Sequence, residues 1–386
     1  AGARVEQSGQ YLVVAESALR PSIGVFGTGG TKTGGGGDAL QALMIGASWE
    51  LDLWGRVRYA RNSAQQSYVS AQADFEFARQ SLAASTAKAW FTATQLTLQA
   101  AIAGEVVQSA NQLASLAGDR ERVGVGTDTE TAVARAAARD AESSLQQAQF
   151  ARGQALRALE LLVGRYPAAE ISARTEVLAM PDPVPVGVPL QMLERRPDVI
   201  AAERRVAAAF NRVGEAKAAR LPQITLSLNF GAFASEVLDL KEDYENPTGG
   251  LGARLLAPIY QGGALTAQVQ IRTLEQNEAV ADYARIALRA IGDVENALAA
   301  SESLAARADL LSRSVAEQTR ALELTQTRFR VGRADRRAVE QQQLSVHSAR
   351  VALLNVRSDE LAQRVNLHLA LGGSFEEPER QAEAQK

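Results

Sequence analysis

The sequence predicts an α+β fold, mainly α, built as two structural repeats of a β-hairpin followed by a long coiled-coil helix hairpin. Three observations carry this prediction. Proline is absent between Pro21 and Pro167 and again between Pro258 and Pro378, and few glycines follow Gly55 in the first gap or Gly263 in the second. Two such gaps suit long uninterrupted helices. Landmarks recur at one spacing: Arg120-Glu121-Arg122-Val123-Gly124 matches Arg328-Phe329-Arg330-Val331-Gly332, an offset of 208 that also relates Gly55 to Gly263 and Gly164 to Gly372. Ahead of each long helical stretch, apolar residues alternate with polar or small ones at a period of two, the mark of a strand with one apolar face.

Residues 1–20 read as the partial leading helix of the first repeat. Arg4-Val5 matches Arg205-Val206, and Pro21-Ser22-Ile23 matches Pro222-Gln223-Ile224, both at an offset of 201. The first copy lacks the start of its leading helix, which leads us to expect a truncated N-terminus; Ala1-Gly2-Ala3-Arg4 is no signal peptide.

Residues 21–54 form the first β-hairpin: Ile23 and Val25, a Gly-rich loop over Gly27–Gly37, then Leu43, Ile45, Ala47, Trp49, Leu51 and Leu53. Residues 55–166 form the first helical hairpin. Its long helix, from about Gly55 to Arg122, spans roughly 98 Å at ~1.5 Å per residue. Residues 167–197 hold Pro181, Pro183, Pro185 and Pro189 and read as an extended connector.

The second repeat follows in the same order: a leading helix (198–221), a β-hairpin (222–262), a helical hairpin (263–373) and a C-terminal tail (374–386). Its first strand alternates Ile224, Leu226, Leu228 and Phe230 with Thr225, Ser227 and Asn229; the partner run is Leu251, Ala253, Leu255, Ala257 and Ile259. The seven-residue difference between the two offsets falls in the polar stretch Ser235–Gly250. Four strands cannot close a sheet, so they require partners from other copies or another domain.

Heptad spacing runs along Leu304, Ala308, Leu311, Val315, Gln318, Leu322, Thr325 and Phe329. Its counterpart, Leu96, Ala100, Ala103, Val107, Ala110, Ala114, Ala117 and Glu121, is small-sided and favours close helix approach. The return helix carries Leu344, His347, Val351, Leu354, Ser358, Leu361, Val365 and His368 on one seam. The two histidines stand ~31 Å apart along a helix, too far to share an ion, and read as packed or water-lined seam residues. The turns at Gly124 and Gly332 reverse the chain, with Asp128 or Thr127, and Asp335, as caps for the returning helices.

Composition narrows the function. Cys is 0, His 2 and Met 3, which argues against thiol chemistry, zinc and iron–sulfur sites and a metal-rich path. Lys+Arg 41 against Asp+Glu 44 gives −3, without the basic excess of a nucleic-acid binder. Aromatics are 5% while hydrophobic residues reach 46%, mostly through alanine, as in helices packed through small side chains. No apolar run is long enough for a transmembrane helix, but barrel strands of about 9–11 residues escape such a scan. Gly27-Thr28-Gly29-Gly30-Thr31-Lys32-Thr33 lacks phosphate-loop spacing and sits in a strand hairpin. No catalytic constellation is present, and no enzyme is expected.

Four stretches resemble a known family. They are Ala47-Ser48-Trp49-Glu50-Leu51-Asp52-Leu53-Trp54-Gly55-Arg56-Val57-Arg58; Leu193-Glu194-Arg195-Arg196-Pro197-Asp198-Val199 with Ala201-Ala202-Glu203; Ala218-Ala219-Arg220-Leu221-Pro222-Gln223-Ile224; and Ala257-Pro258-Ile259-Tyr260-Gln261-Gly262-Gly263. The chain resembles the outer-membrane efflux proteins, the TolC-like channels, and within them the NodT-type branch serving RND pumps. The resemblance implies a homotrimer whose protomers each give four strands to a 12-stranded transmembrane barrel in the outer membrane of a Gram-negative bacterium. The helices of three chains would form a periplasmic α-helical barrel. It further implies a passive exit duct for drugs or other small toxic compounds, opened by a periplasmic membrane-fusion adaptor and driven by an inner-membrane RND pump. No cofactor is implied; many relatives carry a lipid on an N-terminal Cys that this chain does not contain.

The adaptor-docking role falls on the tips, Val123, Gly124, Val125, Val331, Gly332 and Arg333. The periplasmic gate falls on Thr129, Glu130, Asp335, Arg336, Arg337 and Glu340. Relatives often place acids on both returning helices; here Ala338 and Gln341 stand at the second-repeat positions. A gate held by charge pairs that involve Glu130 is therefore expected. Two alternatives fit the same pattern: the outer-membrane channel of a type I secretion system, with the same fold, and a soluble trimeric coiled-coil scaffold. The apolar band from Ile224 to Phe230 speaks against the scaffold.

Overall fold

The computed structural model describes residues 1–28, 41–173, 176, 195–234 and 248–373. Most of the Gly-rich loop, most of the Pro-rich connector with Leu193 and Glu194, the polar stretch after Ala234 and the tail lie outside the described residues.

The element order repeats. Helix α1 (Gly2–Ser17), strands β1 (Ser22–Thr28) and β2 (Gln41–Leu51), and helices α2 (Arg56–Arg122) and α3 (Asp128–Leu162) make the first copy. Helix α4 (Pro197–Ala218), strands β3 (Gln223–Ala234) and β4 (Thr248–Leu256), and helices α5 (Ala264–Arg330) and α6 (Arg336–Ala370) make the second. Both long helices have 67 residues and both return helices 35. Each bound of the second pair lies 208 beyond its counterpart, so the landmark spacing reports an equality of whole elements. Strand β4 stops at Leu256, short of the Ala257 and Ile259 expected from the pattern, because Pro258 follows and cannot donate to a ladder.

The chain folds as two compact units. One comprises Ala1–Ala78 with Pro197–Arg289, the other Arg79–Arg196 with Ala290–Lys386.

In the first unit the four strands form one antiparallel sheet in the order β1-β2-β3-β4. The two hairpins are therefore joined through β2 and β3, and β1 and β4 are left as open edges. Helix α4 packs on the first half of α2 through small side chains. Ser63 and Ser70 hydroxyls donate to Ala208 and Ala201 carbonyls at 3.0 Å each. At Gly214 an added Cβ would lie 2.7 Å from the Tyr59 ring, so only glycine permits this approach.

In the second unit the small-sided seam of α2 and α3 is buried: Ala110 packs with Ala138 and Ala141, and Ala93 with Leu156 and Leu159. Helices α5 and α6 pack through Val294, Ala297, Leu367, Ala370 and Leu371. Along their seam Gln318 and Gln342 form a polar layer, Gln342 Nε2 donating to Gln318 Oε1 at 2.7 Å; one such layer fixes register in a coiled coil. His347 is buried on this helix, whereas His368 is exposed. The expectation that both histidines lie on the seam is thus corrected. The helical repeat drifts off the heptad near the end of α6, and Leu367 takes the inward position.

Candidate functional site

Two regions have a geometry beyond packing: the sheet and the helical tips.

Strand register sorts the sheet into two faces. Ile23, Ala47, Leu228 and Leu251 form one cross-strand row, and Val25, Ile45 and Phe230 the next. Trp49, Leu226 and Ala253, then Leu51, Ile224 and Leu255, continue it. This continuous apolar face is open to the surroundings: Ile23 is 77% exposed and Leu251 81%. The opposite face carries Ser22, Ser48, Ser227 and Gly252 in one row and Gly24, Gly46, Asn229 and Gly250 in the next. These two rows are small and polar; Phe26 and Met44 follow them on the same face. An exposed apolar band backed by a polar face is what a strand needs between lipid and an aqueous lumen. Among the described residues, no helix is long and apolar enough to cross a membrane.

The stretch following β2 anchors the sheet to the helix. Asp52 accepts from the Val57 and Arg58 amides at 3.0 Å each, capping α2. Burial pushes its carboxyl up, but those amides and the Arg58 guanidinium outweigh burial and hold it below the ordinary carboxylate range. Glu50 takes Arg56 through two bonds, Nε at 3.0 Å and Nη2 at 2.6 Å. Trp54 Nε1 donates to Pro222 O at 2.7 Å, tying the two repeats together.

The tips close with matched turns. At the first, Val125 N donates to Arg120 O and Gly124 N to Glu121 O, both at 2.9 Å. At the second, Arg333 N donates to Arg328 O at 2.8 Å and Gly332 N to Phe329 O at 3.0 Å. Each is a Schellman motif, with φ of +79° at Gly124 and +75° at Gly332. These turns lift apolar side chains into solvent: Val123 is 68% exposed, and Val125 and Val331 are 64% each. Arg333 replaces the second valine and is also exposed.

The charged residues near the tips fall into two groups. Thr127 caps α3 from its hydroxyl, which accepts from Glu130 N at 3.2 Å, and Glu130 Oε2 accepts from Thr127 N at 3.4 Å. Thr129 lies in the same exposed first turn. Asp335 caps α6, accepting from Ala338 N at 2.9 Å, with Arg337 Nε 3.8 Å away. Arg336 lies 3.5 Å from the buried Glu340 and donates to Gln112 Oε1 at 3.0 Å. The structure thus brings Asp335, Arg336, Arg337 and Glu340 together. Glu130 belongs instead to a capping box on the other turn.

The Arg336–Gln112 contact is one rung of a ladder between α2 and α6. Higher rungs are Arg350 Nη1 to Glu105 Oε2 at 2.8 Å, Gln95 Nε2 to Asn355 Oδ1 at 2.8 Å, and Lys88 Nζ to Asn366 Oδ1 at 3.0 Å. Beside Glu105 sits His347, with Nδ1 at 3.2 Å but out of line for a hydrogen bond. Burial lowers its pKa; Glu105 opposes this and Arg350 adds to it.

Two further charged side chains, Arg196 and Glu160, are buried. Arg196, 4% exposed, donates to Ala370 O at 3.1 Å and Ala290 O at 3.4 Å and meets Asp293 at 3.3 Å. It holds the C-terminal carbonyl of α6 against α5, which accounts for the Arg in the Arg-Arg-Pro-Asp stretch. Glu160 accepts from the Ala169, Glu170 and Ile171 amides at 2.6–3.1 Å, pinning the start of the connector. Arg196 stood inside a specific motif and so was signalled; Glu160 was not. Among the described residues no cluster could hold a metal ion.

An open-edged sheet with a lipid-ready face, joined to long helical hairpins with apolar tips, defines a subunit of an outer-membrane channel. The comparisons place it further: the outer membrane efflux protein pattern matches residues 1–165 and 188–373, and the chain belongs to that family. It is 31% identical to the pyoverdine export outer membrane protein OpmQ of Pseudomonas putida, over 97% of this chain and 83% of that protein. It is 30% identical to the probable efflux pump outer membrane protein TtgC of the same organism, over 95% and 78%. Among solved structures it superposes on VceC of Vibrio cholerae with a TM-score of 0.85 at 26% identity, covering 97% of this chain and 92% of that one. The open state of the Neisseria gonorrhoeae MtrE outer membrane channel gives 0.82 at 26%, covering 96% and 84%. The chain is an outer-membrane component of an efflux system, located in the outer membrane of a Gram-negative bacterium. Membership of a family of channels sets aside the soluble-scaffold alternative.

Proposed function

We propose that three copies assemble into a closed 12-stranded barrel and that the assembly is a passive exit duct for small molecules. The observation that carries this reading is the sheet. Its apolar face is continuous and exposed, and its edges β1 and β4 are both unpaired within the chain. Closure by two further copies removes both edges at once and turns the small polar face inward. Three copies also match four strands to twelve, enough for an open lumen.

The partners follow from the same arrangement. An inner-membrane RND pump supplies the energy and a periplasmic membrane-fusion adaptor docks on the tips. Exposed Val123, Val125 and Val331, flanking the rigid turns at Gly124 and Gly332 and joined by Arg333, suit a small apolar contact with a charged margin. The gate lies at Asp335, Arg336, Arg337 and Glu340. Opening there breaks the Arg336 rung to Gln112 and lets α6 slide on α2, while Glu130, with Thr127, keeps the first turn capped and Thr129 lies in that turn. Cargo, by analogy with the named relatives, is a small toxic or exported molecule. No cofactor takes part.

The test is single-channel conductance in planar bilayers. A trimer should give small, mostly closed steps, and alanine at Asp335 or Arg336 should raise the open fraction. A purified protein that needs no detergent and never inserts would refute the duct. Unchanged gating in both variants would refute the gate.

A further inference from the structure

We propose that Arg254 gives the barrel lumen a preference for acidic small molecules; this deepens the trimeric-channel reading and rests on it. The four strands contain two charged side chains, Glu50 and Arg254. Both lie on one cross-strand row of the polar face: Glu50 opposes Thr225, and Thr225 opposes Arg254. The neighbouring rows, Ser48-Ser227-Gly252 and Gly46-Asn229-Gly250, are small and neutral.

Glu50 does not balance Arg254. Two strand spacings, roughly 9.6 Å, separate their backbones. Glu50 is moreover already held by Arg56 through two bonds of 3.0 and 2.6 Å. Arg254 is exposed and has no ion pair or hydrogen bond among the described residues. Among the described residues each chain therefore leaves one uncompensated cation on the lumenal face, and three copies make a ring of three. Rings of fixed charge set the ionic preference of a pore. A guanidinium also presents a planar fork of donors that fits carboxylate, sulfonate or phosphate groups. The glycine and serine rows above it leave that fork uncovered. Acidic solutes should accordingly be enriched at this level of the lumen over cationic ones of equal size.

The chain has no Cys, so Ser227→Cys supplies a single thiol. It sits on the next row, diagonally about 7–8 Å from position 254. In the membrane-inserted full chain, its labelling rates with an anionic and a cationic methanethiosulfonate reagent are compared. The ratio of the two rates cancels any change in the thiol's own reactivity. We expect the anionic-to-cationic ratio to fall at least threefold with Arg254→Gln, to fall further with Arg254→Glu, and to be kept by Arg254→Lys. Labelling by both reagents with an unchanged ratio overturns the proposal, as when a carboxylate of the neighbouring copy neutralises Arg254. No labelling at Ser227→Cys, with rapid labelling at Leu228→Cys, overturns the channel reading itself, because the faces would then be reversed.

Discussion

Placing arginine at Ile45 or at Ser48 separates the two faces of the sheet by a three-residue step along one strand. Ile45 lies in β2 between Val25 and Phe230 on the apolar face. It stands six residues from Leu51, the last residue of the strand. At ~3.3 Å per residue that is about 20 Å along the strand, or about 15 Å of height at a tilt near 40°. The apolar band of such a barrel is about 25 Å tall, so Ile45 sits close to its middle. An arginine there costs roughly 2–4 kcal/mol per chain, about a 30- to 700-fold loss in the folding equilibrium. Ser48 faces the other way, paired with Ser22 at 3.0 Å between hydroxyls in an exposed position. Arginine at that site should cost no more than about 1 kcal/mol. The assay is urea unfolding of each variant in liposomes, with recovery of folded trimer from outer membranes as a second readout. Equal stability for Ile45→Arg and Ser48→Arg, or a larger loss at Ser48, would refute the assignment of the faces.

Other predictions concern the helical unit. Removing the cap with Thr127→Ala should cost about 1 kcal/mol locally, and hydrogen exchange should speed up in the first turn of α3 more than elsewhere. Arg196→Leu leaves the carbonyls of Ala290 and Ala370 without their buried donor and should destabilise by about 2–4 kcal/mol, read as a lower Tm of the purified channel. His347 has a folded pKa below its unfolded value of about 6.5, so its unfolded form takes up the proton first. Its contribution to stability is present above pH 6.5 and is lost as pH falls below that value. Thermal unfolding between pH 7.5 and 5.5 should show this loss, and His347→Leu should reduce it; an equal pH dependence in the two proteins would contradict the assignment.

Much of this architecture was legible in the sequence because its signals are periodic or conformational. Alternation over Ile224–Phe230 needs only the strand repeat of two. The ends of α2 and α5 are written in Gly124 and Gly332, whose positive φ few other residues adopt. The 208-residue spacing carried the whole second copy. What stayed hidden depends on side chains far apart in the chain. Nothing in a strand pattern announces that β2 pairs with β3 and thereby fuses the two hairpins into one sheet. The rungs Arg350–Glu105 and Arg336–Gln112 join residues more than two hundred positions apart, without a motif at either end. Heptad spacing places His347 and His368 alike, yet one is buried and the other exposed, since a straight helix drifts from the heptad over the roughly six turns between them. At the first tip, Glu130 reads as a charge partner from its type alone; three residues from Thr127 it completes a capping box.

In the proposed barrel, edge β1 of one copy pairs with edge β4 of the next. A chain with no Cys permits a direct measurement. Single cysteines stepped along Ser22–Thr28 are combined with single cysteines stepped along Gly249–Leu256, and each pair is oxidised in the membrane. Pairs in register should give a covalent ladder ending at a trimer on a non-reducing gel, with one antiparallel register favoured. Only monomers at every combination, or a ladder continuing past three, would contradict it.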